Sequence, residues 1–472
     1  LRYTLIILFL IVLFAPLALH RSLGRQERGT APKNALSLTI ITPHNEPIRR
    51  EFEEAFSDWH QQHFGQPVDI NYLSFGGASD MRRTLEARKE TTFARNGTYE
   101  IDLAWGGGDT LFDTILKPYL DGLALDPQLI KAVYPQTTLA GLRLYDASNP
   151  PLWYGTCLSS FGIAYNKDVV KFLGVDNPRT WSDLKDPRYR NWILLADPTR
   201  SSTARTMFMV IVERAMVDAV AEGRSSDVGW AEGMGMVRQI CANARNFSDS
   251  ANLPPTQVSN GEVAAAMTID FYARSQMQAL TDDHMGYVEP ANATVINPDP
   301  IGMLKGAPNR ELAKRFVEFV LSEQGQRLFD LKAGTPGGPK TSTLRRLPIR
   351  QSVYSDMRNF ADQVNPFEQT TSFNTARTRT ATFDIIGELV QASCIDVLDD
   401  LRETRAAILA SKRSRELDQV LGKFPYGESA AITLRDQYRS ASAVERLKLM
   451  QTWTQRFRDE YATLREMAEH AH

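Results

Sequence analysis

The side chains that could do chemistry gather in short stretches, each placed where an apolar run empties into a turn. One is Thr42-Pro43-His44-Asn45, with an imidazole at its centre. Another is Ser74-Phe75-Gly76-Gly77-Ala78-Ser79-Asp80, where paired glycines allow a tight turn and Ser79 can cap a following helix. A third, Asp197-Pro198-Thr199-Arg200-Ser201-Ser202-Thr203-Ala204-Arg205, sets hydroxyls and arginines at a helix entrance. Free N–H groups and the positive dipole end of a helix favour an anion there. The chemistry implied is capture: amide and hydroxyl donors grip an oxyanion, and Arg200 or Arg205 adds a bidentate contact. One such turn is ordinary capping; its recurrence points to a site.

Two more run ends extend the set. The stretch 99–105 empties into Gly106-Gly107-Gly108-Asp109, leaving room for a ligand beside Trp105, which is either core or an apolar wall. The stretch 260–267 ends in Thr268-Ile269-Asp270-Phe271-Tyr272, polar and aromatic side chains facing whatever lies beyond. The candidate ligand-binding residues are therefore His44, then Ser74, Gly76, Gly77, Ala78 and Ser79, then Trp105, Gly107 and Asp109. Arg200, Ser201, Ser202 and Thr203, with Asp270 and Tyr272, complete them. No catalytic residue is expected. His44 with Asp102 or Asp270 could act as a base, so a hydrolase is the competing class, but neither G-x-S-x-G nor H-E-x-x-H occurs.

The elements that must hold these turns alternate. Leu36 to Ile41 is a β-rich apolar run; Pro47 opens a helix with Ile48, Phe52, Phe56 and Trp59 on one face, and Gly65 stops it. Val68, Ile70 and Tyr72 alternate as a strand, and a helix follows from Met81 to Arg88. Strand–helix–strand–helix with short connections predicts an α/β domain with a largely parallel sheet, whose ligands collect at the carboxyl ends of strands. Asn149-Pro150-Pro151 breaks the pattern, and a crossing to a second domain is expected near 143–151. A return is expected near 284–290. From about residue 350 the texture becomes helical, with amphipathic helices expected over 380–411 and 443–467, the latter burying Leu447, Trp453, Phe457, Tyr461 and Leu464.

Length and composition set bounds. The chain has 472 residues, too many for one compact core, with 43% hydrophobic and 23% charged residues. A formal net charge of −2 gives nucleic-acid binding little support. Cys157, Cys241 and Cys394 fit no metal spacing and allow either one disulfide with a free thiol or three buried thiols. Residues 3–19 carry no charge and are dominated by Leu, Ile, Phe and Val, an export signal that can also stay uncut as an inner-membrane anchor. Arg21, Arg25 and Arg28 beyond it, against Arg2 before it, run counter to the usual charge bias.

In combination these motifs resemble the bacterial extracellular solute-binding proteins of family 1, in the group of ferric-ion-type periplasmic components of ABC transporters. The resemblance rests on Thr42-Pro43-His44-Asn45, 74–79, Gly162-Ile163-Ala164-Tyr165-Asn166-Lys167, Arg179-Thr180-Trp181-Ser182-Asp183-Leu184, Asp186-Pro187-Arg188-Tyr189 and Leu195-Ala196-Asp197-Pro198. Asn260-Gly261-Glu262-Val263-Ala264, Asp299-Pro300-Ile301 and Gly325-Gln326-Arg327-Leu328 complete it, over roughly 36–350. It implies a type II-like two-lobe fold closing on a solute and delivering it to permease subunits. The expected organisation is a signal or anchor helix at 1–23 and a linker at 24–35. Lobe 1 is expected at 36–145 and 285–349, lobe 2 at 146–284, and a helical extension at 350–472. No cofactor is expected.

Ferric binders of the family use an early histidine and two adjacent tyrosines. His44 stands at the former and Phe271-Tyr272 at the latter, so one phenolate is missing. A hard ferric ion prefers oxygen ligands. The reading is an extracytoplasmic importer component for a small anion such as an organic phosphate, with ferric ion held by His44 and Tyr272 as the alternative. A membrane-tethered sensor signalling through the helical extension is the alternative of another class.

Overall fold

A computed structural model describes residues 34–74, 78–279, 283–368 and 379–470. Its first sheet begins where the sequence places it. Leu36–Ile41 buries Leu38, Ile40 and Ile41 and pairs in parallel with Val68–Leu73, Leu36 against Val68. The connecting helix Glu46–Phe64 is fixed at both ends: the Asn45 side chain accepts from Ile48 N, Pro47 sits in the first turn, and Gly65 closes it at φ 76°. Ile48, Phe52 and Phe56 pack inward.

The sheet runs Leu347–Pro348, Tyr154–Ser159, Asn297–Leu304, Leu103–Trp105, Leu36–Ile41, Val68–Leu73, with Leu120–Asp121 paired to Asn297–Leu304. It is parallel only in part, because Asn297–Leu304 returns antiparallel to all three strands it pairs with. Of the expected strand at 99–105 only Leu103–Trp105 pairs, Glu100 having turned into the left-handed region at φ 55°. A second sheet runs Ala244–Ser248, Ile193–Ala196, Ala265–Ile269, Phe161–Asn166, Met285–Val288.

Tyr154–Ser159 lies in the first sheet and Phe161–Asn166 in the second, so the chain changes sheet at Ser160 rather than within 143–151. It changes back between Val288 and Asn297, a span that overlaps the expected 284–290. Proline marks a break in regular structure, and here that break precedes another strand of the same sheet.

The region expected as one helix over 380–411 is three pieces: Arg379–Val390, a π-helical turn Gln391–Ile395, and Leu398–Ala410. Ala443–Glu469 follows its expected bounds closely, and Trp453, Phe457, Tyr461 and Leu464 are buried, whereas Leu447 stands 61% exposed. The Tyr461 hydroxyl donates to Ser393 O at 2.6 Å and Thr404 Oγ1 donates to Tyr461 O at 3.0 Å.

This layer is tied to the second-sheet half through helix Ser226–Cys241. Arg238, wholly buried, donates from Nε and Nη2 to Leu421 O and from Nη1 to Glu460 at 2.8 Å. A guanidinium with a carboxylate and carbonyls around it can be buried; without them it cannot.

Cys157, Cys241 and Cys394 are buried free thiols. Among the described residues no helix is long and apolar enough to cross a membrane. The stretch 1–23 and most of the linker at 24–35 lie outside them.

Candidate functional site

A cleft of about 790 Å³, open solvent at its mouth included, lies between the two sheets. Its first wall is made by strand ends of the first sheet: Pro43, His44, Asn45, Gly107, Gly108 and the 297–299 segment. Its second is the turn Arg200-Ser201-Ser202-Thr203 with Ser250, Phe271 and Tyr272.

His44 is locked in place. Its N–H donates to Thr42 Oγ1 at 3.1 Å, its ring meets Trp105 edge-on at 4.6 Å, and Nε2 donates to Asp299 Oδ2 at 3.0 Å. Gly106, at φ 92°, passes so close beneath the ring that a Cβ there would stand 2.6 Å from Nε2. Asp299 is shared further: Gly108 N donates to Oδ1 at 3.1 Å and Arg346 Nη2 to Oδ2 at 2.7 Å. Arg346 is itself buried, lies 3.0 Å from Cys157 Sγ and rests over the Phe271 ring at 4.3 Å.

The charges follow from this packing. Burial opposes ionisation of Asp299, but the Arg346 charge and the His44 bond outweigh it and hold the carboxyl well below the usual range. Burial pulls His44 below the ordinary imidazole range, against the Asp299 bond, and keeps it neutral. Burial pushes the Cys157 thiol up to about 12 and raises the Tyr272 phenol, so neither offers an anion to the cleft at neutral pH. Arg346 and Asp299 cancel each other as a pair.

On the second wall, Ser201 caps helix Ser202–Ala221 by accepting from Ala204 N at 3.2 Å. Ser202 and Thr203 follow in its first turn. Arg200 is more than half exposed and reaches Asp249 Oδ2 at 3.0 Å, a pair that water screens. This wall therefore presents hydroxyls, helix N–H groups and a guanidinium, and the combination suits an anion.

His44, Gly107, Arg200, Ser201, Ser202, Thr203 and Tyr272 thus meet in one cleft, as the strand-end argument expects. Others do not join them. Trp105 is wholly buried, donates to Thr156 Oγ1 at 3.1 Å and packs on Phe52 and Phe316, so it is core. Asp109 sits behind the glycines, where Asn297 Nδ2 donates to it at 3.1 Å. Asp270 accepts from Ser160 N and Phe271 N at the sheet change and faces the Arg274 guanidinium at 3.9 Å, so it is spent inside the fold. Asp102 accepts from Thr39 N and Asn309 N, far from serving His44. Arg205 turns away from the cleft, donating to Pro198 O at 2.9 Å and lying over the Phe383 ring at 5.5 Å.

Ser74 is half-buried and outside the cleft lining; Phe75, Gly76, Gly77 and the side chains of Ala78 and Ser79 lie outside the described residues. Ala78 and Ser79 open the helix Ala78–Arg88. Among the described residues, those across from Arg200–Thr203 include Pro43, His44, Asn45, Gly107, Gly108 and the 297–299 segment. The sequence reading missed Asn297, Asp299 and Arg346. Asp299-Pro300 marks a strand, but nothing in the sequence ties it to a histidine 255 positions away.

Among the described residues no group of three or more His, Cys, Asp or Glu is placed to hold a metal.

Two mixed sheets with a cleft between them, crossed twice by the chain, make a two-lobe architecture. The chain belongs to the bacterial extracellular solute-binding protein family, which matches residues 116–355, about half of its length. Among curated relatives it is 25% identical over 220 residues to iron uptake protein A1 of Synechocystis, 45% of this chain and 55% of that one. It is 24% identical over 172 residues to the phosphoglycerate transport regulatory protein PgtC of Salmonella typhimurium, 36% of this chain and 39% of that. A putative 2-aminoethylphosphonate-binding periplasmic protein of the same organism matches at 24% over 245 residues, 49% and 67%. The chain thus spans between two fifths and two thirds of the length of these relatives.

In structure it is similar to the periplasmic binding protein AfuA of Actinobacillus pleuropneumoniae, solved with fructose-6-phosphate, at TM-score 0.54 and 18% identity over 78% of this chain and 96% of that. The apo ferric ion-binding protein A of Pasteurella haemolytica aligns at 0.54 and 13% over 76% and 97%. These likenesses are of fold.

Proposed function

We propose that the protein captures a small anionic solute, an organic phosphate or similar oxyanion, between its two lobes and delivers it to the permease of an ABC-type importer outside the cytoplasm. The observation that carries this is the Arg200–Thr203 turn, a helix start with hydroxyls and an arginine, opposed across one cleft to the glycine-rich strand end at Gly107 and Gly108. Phe271 and Tyr272 flank the organic part. Relatives named for phosphoglycerate transport and for 2-aminoethylphosphonate binding support the ligand class. No catalytic role is assigned to any residue.

Mass spectrometry of solute released from protein purified from its native compartment, followed by calorimetry with phosphate esters and phosphonates, tests this. Micromolar or tighter binding is expected; turnover of the ester instead of binding would replace the reading with a hydrolase.

Ferric ion as cargo remains the second reading because His44 and Tyr272 do share the cleft. Against it, the His44 Nε2 is engaged by Asp299, Phe271 stands in place of a second phenol, and the Asp299 carboxylate is already taken by Arg346. Iron-loaded protein should carry a tyrosinate charge-transfer colour that Tyr272→Phe abolishes; colourless protein after iron supply rules this reading out.

A further inference from the structure

A second cavity, about 770 Å³ with open solvent at its mouth included, lies where three parts of the molecule meet. The first-sheet half gives Arg82, Leu111 and Ile115. The second-sheet half gives Thr199, Ser202 and Arg205, in and beside the turn that walls the cleft, and Ser202 lines both spaces. The helical extension gives Phe383, Glu388 and Tyr438, and three more arginines, Arg435, Arg439 and Arg446.

Five guanidinium groups thus border one concavity against two carboxylates, Asp384 and Glu388. Arg439 pairs with Asp384. Arg82 and Arg435 have acidic neighbours on their own helices, Glu86 and Asp436. Arg205 and Arg446 donate to backbone carbonyls, Pro198 O for the first and Tyr438 O and Arg439 O for the second. Carbonyls orient a guanidinium without neutralising it, so positive charge is left over where the walls exclude part of the solvent. Burial also pushes Glu388 up toward its neutral form, against the attraction of Arg205. Among the described residues, Asp384 Oδ1 and Glu388 Oε2 are buried acceptors without a hydrogen-bond partner.

We propose that this cavity is a second ligand site, for a small phosphate-bearing molecule that also carries hydroxyl donors. The phosphate takes the guanidinium groups, for which arginine's planar fork is suited. The hydroxyls take the orphaned carboxyl oxygens. Such a ligand touches both lobes and the extension at once, and it presses on the back of the turn whose front faces the cleft. The proposal does not depend on which solute the cleft holds.

Glycerol 3-phosphate is the probe, titrated calorimetrically into the full chain. Arg435→Gln with Arg446→Gln is expected to weaken one binding event about tenfold or more, two charge-assisted contacts being lost. Arg200→Gln with Thr203→Val, in the cleft, should leave that event unchanged. Binding that the 435/446 double variant does not alter, or no binding outside the cleft, overturns the proposal. Wild-type crystals soaked in tungstate decide independently of whether the variant folds. An anomalous peak beside Arg205 and Arg446 supports the site, and none there refutes it.

Discussion

Asp299 Oδ2 lies 3.0 Å from His44 Nε2 and 2.7 Å from Arg346 Nη2, so one carboxyl oxygen joins the end of the first strand to a guanidinium from near the last. The pair sets the floor of the cleft and, being buried, cannot be broken cheaply.

Asp299→Asn should therefore cost roughly 3–5 kcal/mol, the penalty for leaving Arg346 charged and uncompensated in the interior. Urea unfolding at pH 7 measures it. The pH dependence has a definite sign. The folded carboxyl is held below its unfolded value, so its stabilisation is complete above about pH 4 and lost as pH falls through the folded value. The gap between wild type and Asp299→Asn should close below about pH 4 and nowhere above it.

His44 contributes in a different window. Burial lowers its folded pKa below 6.5, so the unfolded chain binds the extra proton first. Stability should decline as pH drops from about 6.5, and His44→Gln should flatten that slope. A slope unchanged between pH 5 and 7 would show that another group governs it.

Gly106→Ala places a Cβ 2.6 Å from His44 Nε2 on a backbone at φ 92°. About 1–3 kcal/mol of destabilisation is expected from the backbone strain alone. The displaced imidazole should also weaken solute binding, which separates this variant from a remote destabilising one. Thermal unfolding with and without solute reads both effects.

Thr203→Val keeps the shape of the side chain and removes its hydroxyl from the cleft. Loss of one hydrogen bond to an anion predicts roughly 1.5–3 kcal/mol less binding free energy, about tenfold or more in Kd. The unfolding midpoint should stay where it is, since the cap is Ser201 and not Thr203. Equal affinity in the two proteins would remove this turn from the site.

Gly235 bears on the extension. A Cβ there would fall 1.8 Å from Gly422 O, a backbone atom that cannot swing aside. Gly235→Ala should loosen the 414–469 helices, seen as faster amide exchange, with the first sheet unaffected.

What the sequence disclosed and what it hid divide along a physical line. Strand ends and helix starts are local: the apolar run 36–41, the Pro47 helix start, the Gly65 stop and the hydroxyl-rich helix entrance at 201–203 all follow from neighbours, and they delivered His44, Gly107 and Arg200–Thr203 to one cleft. Asp299 and Arg346 are a long-range pair, and their partnership depends on the antiparallel return of Asn297–Leu304, which no local pattern announces. Trp105, Asp109 and Asp270 have the chemistry of a site but are consumed by the fold, since buried polar groups must find partners. Arg205 shares a helix start with Arg200, yet its place in the next turn sends it to the opposite side.

Arg238 has a bearing on how the protein can be handled. Its guanidinium is seated in carbonyls of Leu421 and Lys423 and the carboxylate of Glu460, all from the last quarter of the chain. A minimal receptor cut after the first-sheet strand Leu347–Pro348 would expose a bare cation on the apolar underside of helix Ser226–Cys241. Attempts to trim this protein to the dimensions of its shorter structural neighbours should start by replacing that arginine, because the helices past 379 are a floor to the second lobe and not an appendix.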